Sequence, residues 1–515
     1  MKNRRLAAID IGTNSIRCII VEVTENQDFR VLDDEKATVR LGEGIYTSGA
    51  ISLPAAERAR EALLRMSKII DGFGVEAVEA VATSAVRRAT NGREFLADME
   101  DATGLKMRII DGREEAQLAA LSAWHHFDMA NSRYLLVDIG GGSVEVVSAV
   151  GSHIEEIASL ELGAVFLTEN FLPRDPIPEK DLGELRKHVR RELKHALGSR
   201  ELPVQFLIGS GGTMTNLGSM VMAMRKEPYD SVHGYEVLRS EVVHLLAMLQ
   251  RKTCKERRAV PGLNPERADI IVAGALVVDE LMRHFSANLL RINEKGIREG
   301  LILKALEERG MLPGRAGRRD WRQSVAEFAR SCHFDERHSR QVNRLAQQIL
   351  AGVAPHFTFD ERASRLLEAA ALLHDVGYFI SYAQHHKHSY HLIRYADLVD
   401  FSPREREIVA NLARYHRKAL PKKKHEGFAR LSEEDRQLVR RLGGILRLAD
   451  GLDRRRALLV ENVRCTVGGK TIYLALEGAE DLSVELFGGR AKGDLFAEAF
   501  GCRLELALAP SSPPA

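Results

Sequence analysis

The 515-residue sequence predicts an α/β fold built twice and followed by a mainly α-helical region. Three observations predict it. An eight-residue turn occurs in two copies, Asp10-Ile11-Gly12-Thr13-Asn14-Ser15-Ile16-Arg17 and Asp138-Ile139-Gly140-Gly141-Gly142-Ser143-Val144-Glu145, 128 residues apart. Strand and helix patterns alternate from the N-terminus to about residue 305, as in α/β architectures. From about residue 306 long amphipathic helical stretches take over, with few strand candidates before residues 470–476. The expected division is therefore 1–124, 125–305 and 306–508, with a Pro- and Ser-rich disordered tail at 509–515.

Each copy of the turn follows an apolar run and leads into another, so each reads as strand, tight turn, strand. Its small residues leave backbone N–H groups unshielded, the geometry that cradles phosphate oxygens. After the first hairpin, short strands are expected at 29–32 and 37–41, then a helix over 54–71 with Pro54 in its first turn. A strand at 75–82, a helix from Gly92, a strand at 107–110 and a helix from Arg113 complete the first copy. In the second copy a strand at 205–208 enters Gly209-Ser210-Gly211-Gly212-Thr213. Residues 310–317, rich in glycine, read as the linker to the helical region.

A chain of this length exceeds what one core usually serves, and its 45% hydrophobic and 28% charged residues are ordinary for a soluble globular protein. The formal net charge of +2 gives no signal for a nucleic-acid or membrane partner, and neither is expected. Cys18, Cys254, Cys332, Cys465 and Cys502 are scattered without a C-x-x-C pair, which fits a reducing compartment and no zinc ribbon. Asp10 cuts short the apolar run after the basic start, no small-residue cleavage site follows, and the longest apolar run, 270–278, cannot span a bilayer. A cytoplasmic protein is expected.

Further segments suit phosphate chemistry. Thr83-Ser84-Ala85-Val86-Arg87-Arg88 follows a strand with hydroxyls and guanidiniums, whose planar donors bind two oxygens at once. Glu114 and Glu115 fall on the first turn of a helix, where carboxylates also simply complement the helix dipole. Asn264-Pro265-Glu266-Arg267-Ala268-Asp269 opens another helix. Each segment alone has an ordinary structural explanation; their order and company point to a phosphate site.

In that order the segments resemble the exopolyphosphatase and guanosine pentaphosphate phosphohydrolase family, over roughly residues 6–305. The resemblance implies paired ribonuclease-H-like domains of the actin, sugar-kinase and heat-shock ATPase type around a cleft. It implies Glu115 as the base that activates water, with Glu114 the fallback if the alignment slips by one. Asp138 and Glu145 match the acidic residues associated with catalytic magnesium, and Arg87 and Arg267 the phosphate-binding arginines. Gly140, Gly141, Gly142 and Ser143 match one phosphate loop, and Asp10, Thr13, Asn14, Ser15 and Arg17 the other. Gly209, Gly211, Gly212 and Thr213 add a third. Arg88 departs from the pattern, since relatives often carry an acidic residue there. The implied reaction is release of orthophosphate from the ends of inorganic polyphosphate, in a homodimer.

Among the helical stretches, His338, adjacent His374-Asp375 and Asp450 follow the order of the HD metal-dependent phosphohydrolase superfamily, which this region resembles. That resemblance implies these four as ligands of a divalent metal, with His388, His391 and His416 weaker candidates for a second. The region would otherwise serve as a structural domain that extends the polyphosphate surface. Two basic clusters, 186–191 and 417–425, stand as candidate polyanion contacts. Guanosine pentaphosphate hydrolysis is the alternative reaction. A sugar or acetate kinase would need an acceptor pocket that no segment announces, and a non-catalytic polyphosphate or alarmone sensor has no need of Glu115.

Overall fold

The computed structural model describes residues 4–24, 29–129, 132–151, 153–198, 204, 206–311, 320–478 and 481–509. Most of the expected linker at 310–317 and the tail after residue 509 lie outside the described residues. The chain divides into two compact units, 1–319 and 320–515.

The first unit holds two sheets of one design. Strands β1 (Arg5–Ile11), β2 (Ile16–Val23), β3 (Phe29–Ala37), β4 (Ala77–Ala82) and β5 (Met107–Ile109) lie in the order β3-β2-β1-β4-β5. Strands β6 (Arg133–Ile139), β7 (Val144–Val150), β8 (His153–Leu160), β9 (Phe206–Ser210), β10 (Glu236–Leu238) and β11 (Leu289–Ile292) lie in the order β10-β11-β9-β6-β7-β8. Read from its β8 edge, the second sheet repeats the first and adds β10. The senses match as well: β1 is antiparallel to β2 and parallel to β4, as β6 is to β7 and β9. Even a register shift recurs, at Ile20/Val21 in β2 and at Ser148/Ala149 in β7.

Helices cover both faces of the first sheet, so β1 is a nearly unbroken apolar run. On one face Ala7, Ile9 and Ile11 pack against Ala59, Leu63 and Met66 of the helix Leu53–Phe73. Ser52 starts that helix by accepting from the Ala55 amide at 3.4 Å. On the other face Leu6, Ala8 and Val81 meet Leu118, Ile297 and Leu301. The helix Gly112–His126 also presents Ala116, Ala120 and Ala123 to Tyr134, Leu136 and Ile208 of the second sheet. It is wedged between the two sheets, which explains its small side chains. The helix Ile297–Glu308 crosses it at backbone contact, since a Cβ on Gly300 would stand 2.1 Å from the Leu118 carbonyl oxygen.

Three expectations differ from the structure. The strands expected at 29–32 and 37–41 are one strand, β3, and residues 38–41 turn away behind the first Asp-Ile-Gly turn. The boundary expected after residue 124 falls inside the wedged helix. Residues up to 305 are expected in the second copy, yet Ile297, Leu301 and Leu306 return to the open face of the first sheet. The helix Ile297–Glu308 therefore carries the first unit past residue 305.

The second unit packs the helices Trp321–Ser331, Glu336–Val353, Ala363–Leu373, Pro403–Tyr415 and Glu433–Gly451 around one core. A three-stranded sheet adjoins it, β12 (Asn462–Gly468), β13 (Thr471–Glu477) and β14 (Arg503–Leu508), in that order.

The basic cluster at 186–191 is split between internal ion pairs and an exposed face that carries Lys187 and Arg191. Arg186 and Arg190 reach across to the helix Ile271–His284, where both donate to the fully buried Glu280, and Arg186 donates also to Asp279 at 2.9 Å. Arg283 completes the clamp on Glu280 at 2.8 Å. Glu280→Gln is expected to destabilise the fold by about 2 kcal/mol, the scale of hydrogen bonds to a charged group, read from the urea midpoint.

Candidate active site

The two turns close alike. Gly12 N donates to Ser15 O at 3.1 Å, and Gly140 N donates to Ser143 O at 3.0 Å. In the ladders Asp10 faces Arg17, and Asp138 faces Glu145, so equivalent positions carry opposite charge. The turns meet tip to tip. A Cβ on Gly141 would lie 2.8 Å from Thr13 Cβ, and one on Gly142 would lie 2.4 Å from Ser84 Oγ, so only glycine permits the approach. Between them lies a cavity of about 110 Å³.

Most of the expected site residues line this cavity: Asp10, Thr13, Asn14, Ser15 and Arg17 from the first turn, Asp138 with Gly140 to Ser143 from the second, and Glu115, Gly211, Gly212 and Arg267. Asp111 caps the helix that carries Glu115, accepting from the Glu114 amide at 2.8 Å. That cap and the helical twist separate the two glutamates. Glu114 turns outward to Arg108, at 2.8 Å through both carboxylate oxygens, and to Lys304 at 2.9 Å. The hydrogen bond from Arg108 foremost holds the Glu114 carboxyl down to about 2. Glu115 turns inward and is buried, accepting from Arg87 Nη1 at 3.1 Å. Burial first, then the charge of Glu145, raises its carboxyl well above the usual range.

Arg87 and Glu145 stand one layer behind the cavity. Arg87 also donates to the Ile110 carbonyl at 2.6 Å, and Glu145 accepts from Ser159 Oγ at 3.0 Å. Two expected phosphate contacts face elsewhere. Gly209 lies in β9 with its Cβ position filled by Met214, 2.6 Å away. Thr213 packs against Gly274 of the helix Ile271–His284. The helix Gly212–Arg225 starts at this point, so its first turn sends Thr213 into the core and Thr215 to the cavity. Arg298, also in the lining, is absent from the sequence-predicted set. It donates to Asp34 and to the Cys18 carbonyl. The signal was present in Gly296-Ile297-Arg298, a fourth glycine turn after a strand, β11.

The electrostatics pit buried carboxylates against buried guanidiniums. Burial lifts Asp10 and Asp138 to about 6 each, and burial followed by the charge of Asp138 lifts Glu145 to about 7. Burial also lowers Arg17, and lowers Arg267 to about 10. Asp10 Oδ1 is buried without a hydrogen-bond partner. An all-oxygen donor set with an orphaned carboxylate oxygen, beside a cradle of amides and guanidiniums, fits a magnesium ion bound together with phosphate.

A second constellation lies in the helical unit. His338, His374 and Asp450 form one buried group able to hold a metal ion, and Asp375, His385 and His416 form another. All sit at or next to helix ends. The structure thus divides the four expected ligands between two groups, and it supplies His385 in place of His388 and His391, which lie outside both. Asp375 joins the groups, its Oδ2 3.5 Å from His374 Nε2 and its Oδ1 3.2 Å from His385 Nε2. Backbone or carboxylate oxygens hold Nδ1 of His338 (Asp453, 2.7 Å), His374 (Ala371, 2.8 Å) and His416 (Ala413, 2.6 Å). That arrangement turns each Nε2 inward, as metal-ligating imidazoles require.

The sequence pattern of the Ppx/GppA phosphatase family matches residues 19–309, and that of Ppx/GppA phosphatase domain III matches 321–483. The chain is 34% identical over 316 residues to exopolyphosphatase 2 of Mycobacterium tuberculosis, covering 58% of this chain and 98% of that protein. It is 32% identical over 313 residues to exopolyphosphatase 1 of Mycobacterium leprae, covering 59% and 90%. Among solved structures, an exopolyphosphatase from Cytophaga hutchinsonii aligns with TM-score 0.56 and 27% identity, over 59% of this chain and 98% of that one. The Aquifex aeolicus member of the Ppx/GppA family aligns with TM-score 0.52 and 29% identity, over 59% and 98%.

Proposed function

We propose that this chain, which belongs to the Ppx/GppA phosphatase family, is an exopolyphosphatase that releases orthophosphate from the ends of inorganic polyphosphate. The observation that carries the reading is Glu115, buried at the first turn of the wedged helix and aimed into the cavity between two facing phosphate turns. Glu115 is placed to accept a proton from a water molecule that attacks the terminal phosphorus. The bond to the bridging oxygen then breaks, and the shortened polyphosphate leaves with that oxygen. Burial raises the Glu115 carboxyl, which makes its ionised form a stronger base. Arg87 orients the Glu115 carboxylate through the 3.1 Å hydrogen bond. Arg17 and Arg267, with the amides of the 140–143 and 211–212 turns, neutralise the charge that spreads over the phosphoryl oxygens. Asp138, which lines the cavity beside Asp10, would hold magnesium, which supplies further neutralisation of phosphate charge when bound; Glu145, the other expected ligand, stands behind the lining.

Among the described residues the cavity lining contains no aromatic ring. The similarity to relatives named exopolyphosphatase favours polyphosphate over guanosine pentaphosphate as the substrate. Side-by-side kinetics on polyphosphates of several lengths and on guanosine pentaphosphate tests the reading. Efficient release from polyphosphate is expected; higher kcat/KM on guanosine pentaphosphate would replace it with the nucleotide reaction.

A second reading concerns the helical unit, and the inward-facing Nε2 atoms favour it. We infer that His338, His374 and Asp450 bind a divalent metal, with Asp375, His385 and His416 offering a neighbouring position. Metal should be retained through purification by the wild-type chain and lost from His374→Ala, as read by elemental analysis. Equal metal content in the two proteins would refute the assignment.

A further inference from the structure

Arg40 stands where the backbone favours glycine. Its φ of 51° lies in the left-handed region, which L side chains avoid. An arginine kept there directs attention to its side chain. The main chain around it buttresses the first phosphate turn from behind: Arg40 N donates to the Asn14 carbonyl at 2.9 Å, and Gly42 N donates to the Thr13 carbonyl at 2.8 Å. The side chain crosses to the other lobe. Its Nη1 donates to Asp269 Oδ2 at 2.9 Å, and its Nη2 donates to the Glu266 carbonyl at 3.1 Å. Thr38, two residues earlier, donates through Oγ1 to Glu266 Oε2 at 2.7 Å.

Glu266 and Asp269 flank Arg267, which lines the cavity. Among the described residues no hydrogen bond holds the Arg267 guanidinium itself, so its place depends on the turn that carries it. From its own lobe that turn is held by Asn216 Oδ1, which accepts from the Asn264 amide at 2.7 Å. From the opposite lobe it is held by Arg40 and Thr38.

We propose that Arg40 is a positioning residue that couples the two halves of the phosphate grip, bracing the Thr13–Asn14 turn with its backbone and the Arg267 turn with its guanidinium. This rests on the reading of Thr13, Asn14 and Arg267 as phosphate contacts. Without the coupling, only a fraction of molecules hold both halves in register, and apparent affinity falls by that fraction. Substrate binding restores the arrangement, so turnover at saturation changes less than affinity does.

Arg40→Gly removes the guanidinium while suiting the left-handed backbone, which separates positioning from folding. With tripolyphosphate as substrate, KM is expected to rise roughly fivefold, the range open to a partly exposed ion pair, with kcat nearly unchanged and Tm equal or higher. Asp269→Asn, which leaves the Arg40 backbone untouched, should raise KM similarly. The two changes should not add when combined, since both break one link. Unchanged KM in either single variant, or additive effects in the double variant, would overturn the coupling. A wild-type chain that releases no orthophosphate from tripolyphosphate or longer polyphosphate would instead overturn the proposed function, so the two failures are distinguishable.

Discussion

Glu115→Gln is expected to lower orthophosphate release from polyphosphate by about 10³-fold, within the range contributed by a positioned general base. The substitution keeps the shape of the side chain and its ability to accept from Arg87 Nη1, 3.1 Å away, so the helix and its packing should persist. It removes the basic oxygen proposed to take the proton. Relief of a buried carboxylate should leave stability equal or higher, because burial opposes the charged form. The neighbouring Glu114→Gln provides the contrast. Its carboxylate faces Arg108 and Lys304 on the outer side, so activity should stay close to wild type and only those ion pairs are lost. If the two variants show the same rate, with circular dichroism confirming the fold, Glu115 is not the base.

Gly212→Ala is expected to reduce kcat/KM by about 10²-fold, the scale of losing one preorganised charge-stabilising group. A Cβ at this position would stand 2.1 Å from Arg267 Cζ and 2.2 Å from its Nη2. The new methyl group meets the end of a flexible side chain rather than backbone, so the chain accommodates it by moving the guanidinium out of the cavity. Alanine also suits the first residue of the helix Gly212–Arg225 better than glycine does, and stability should hold. A thermal scan and steady-state kinetics on one preparation check both halves. Full activity would show that phosphate does not depend on Arg267 at its observed place.

Much of the site was legible in the residues because phosphate chemistry needs local devices. A strand that ends in Asp-Ile-Gly and turns on small residues is a short-range pattern. Its recurrence 128 residues on announced both the duplication and the two facing turns. The misjudged positions share a different property. Gly209 and Thr213 belong to the same glycine-rich run as Gly211 and Gly212, and only the start of the helix at Gly212 sorts which of them face the cavity. His385, His388 and His391 sit within seven residues, and composition does not say that His385 is the one that points inward. In the cluster at 186–191, Arg186 and Arg190 turn to Glu280, 94 residues beyond Arg186, while Lys187 and Arg191 stay exposed.

The doubled turn, the alternating strands and helices and most residues of the candidate site's lining followed from the chain alone, since turn chemistry and hydrophobic period act over a few residues. Folding chose between Glu114 and Glu115, brought Arg298 to the cavity and returned residues 297–308 to the first sheet. These outcomes depend on the direction a helix presents and on contacts between segments far apart in sequence, which local patterns do not encode.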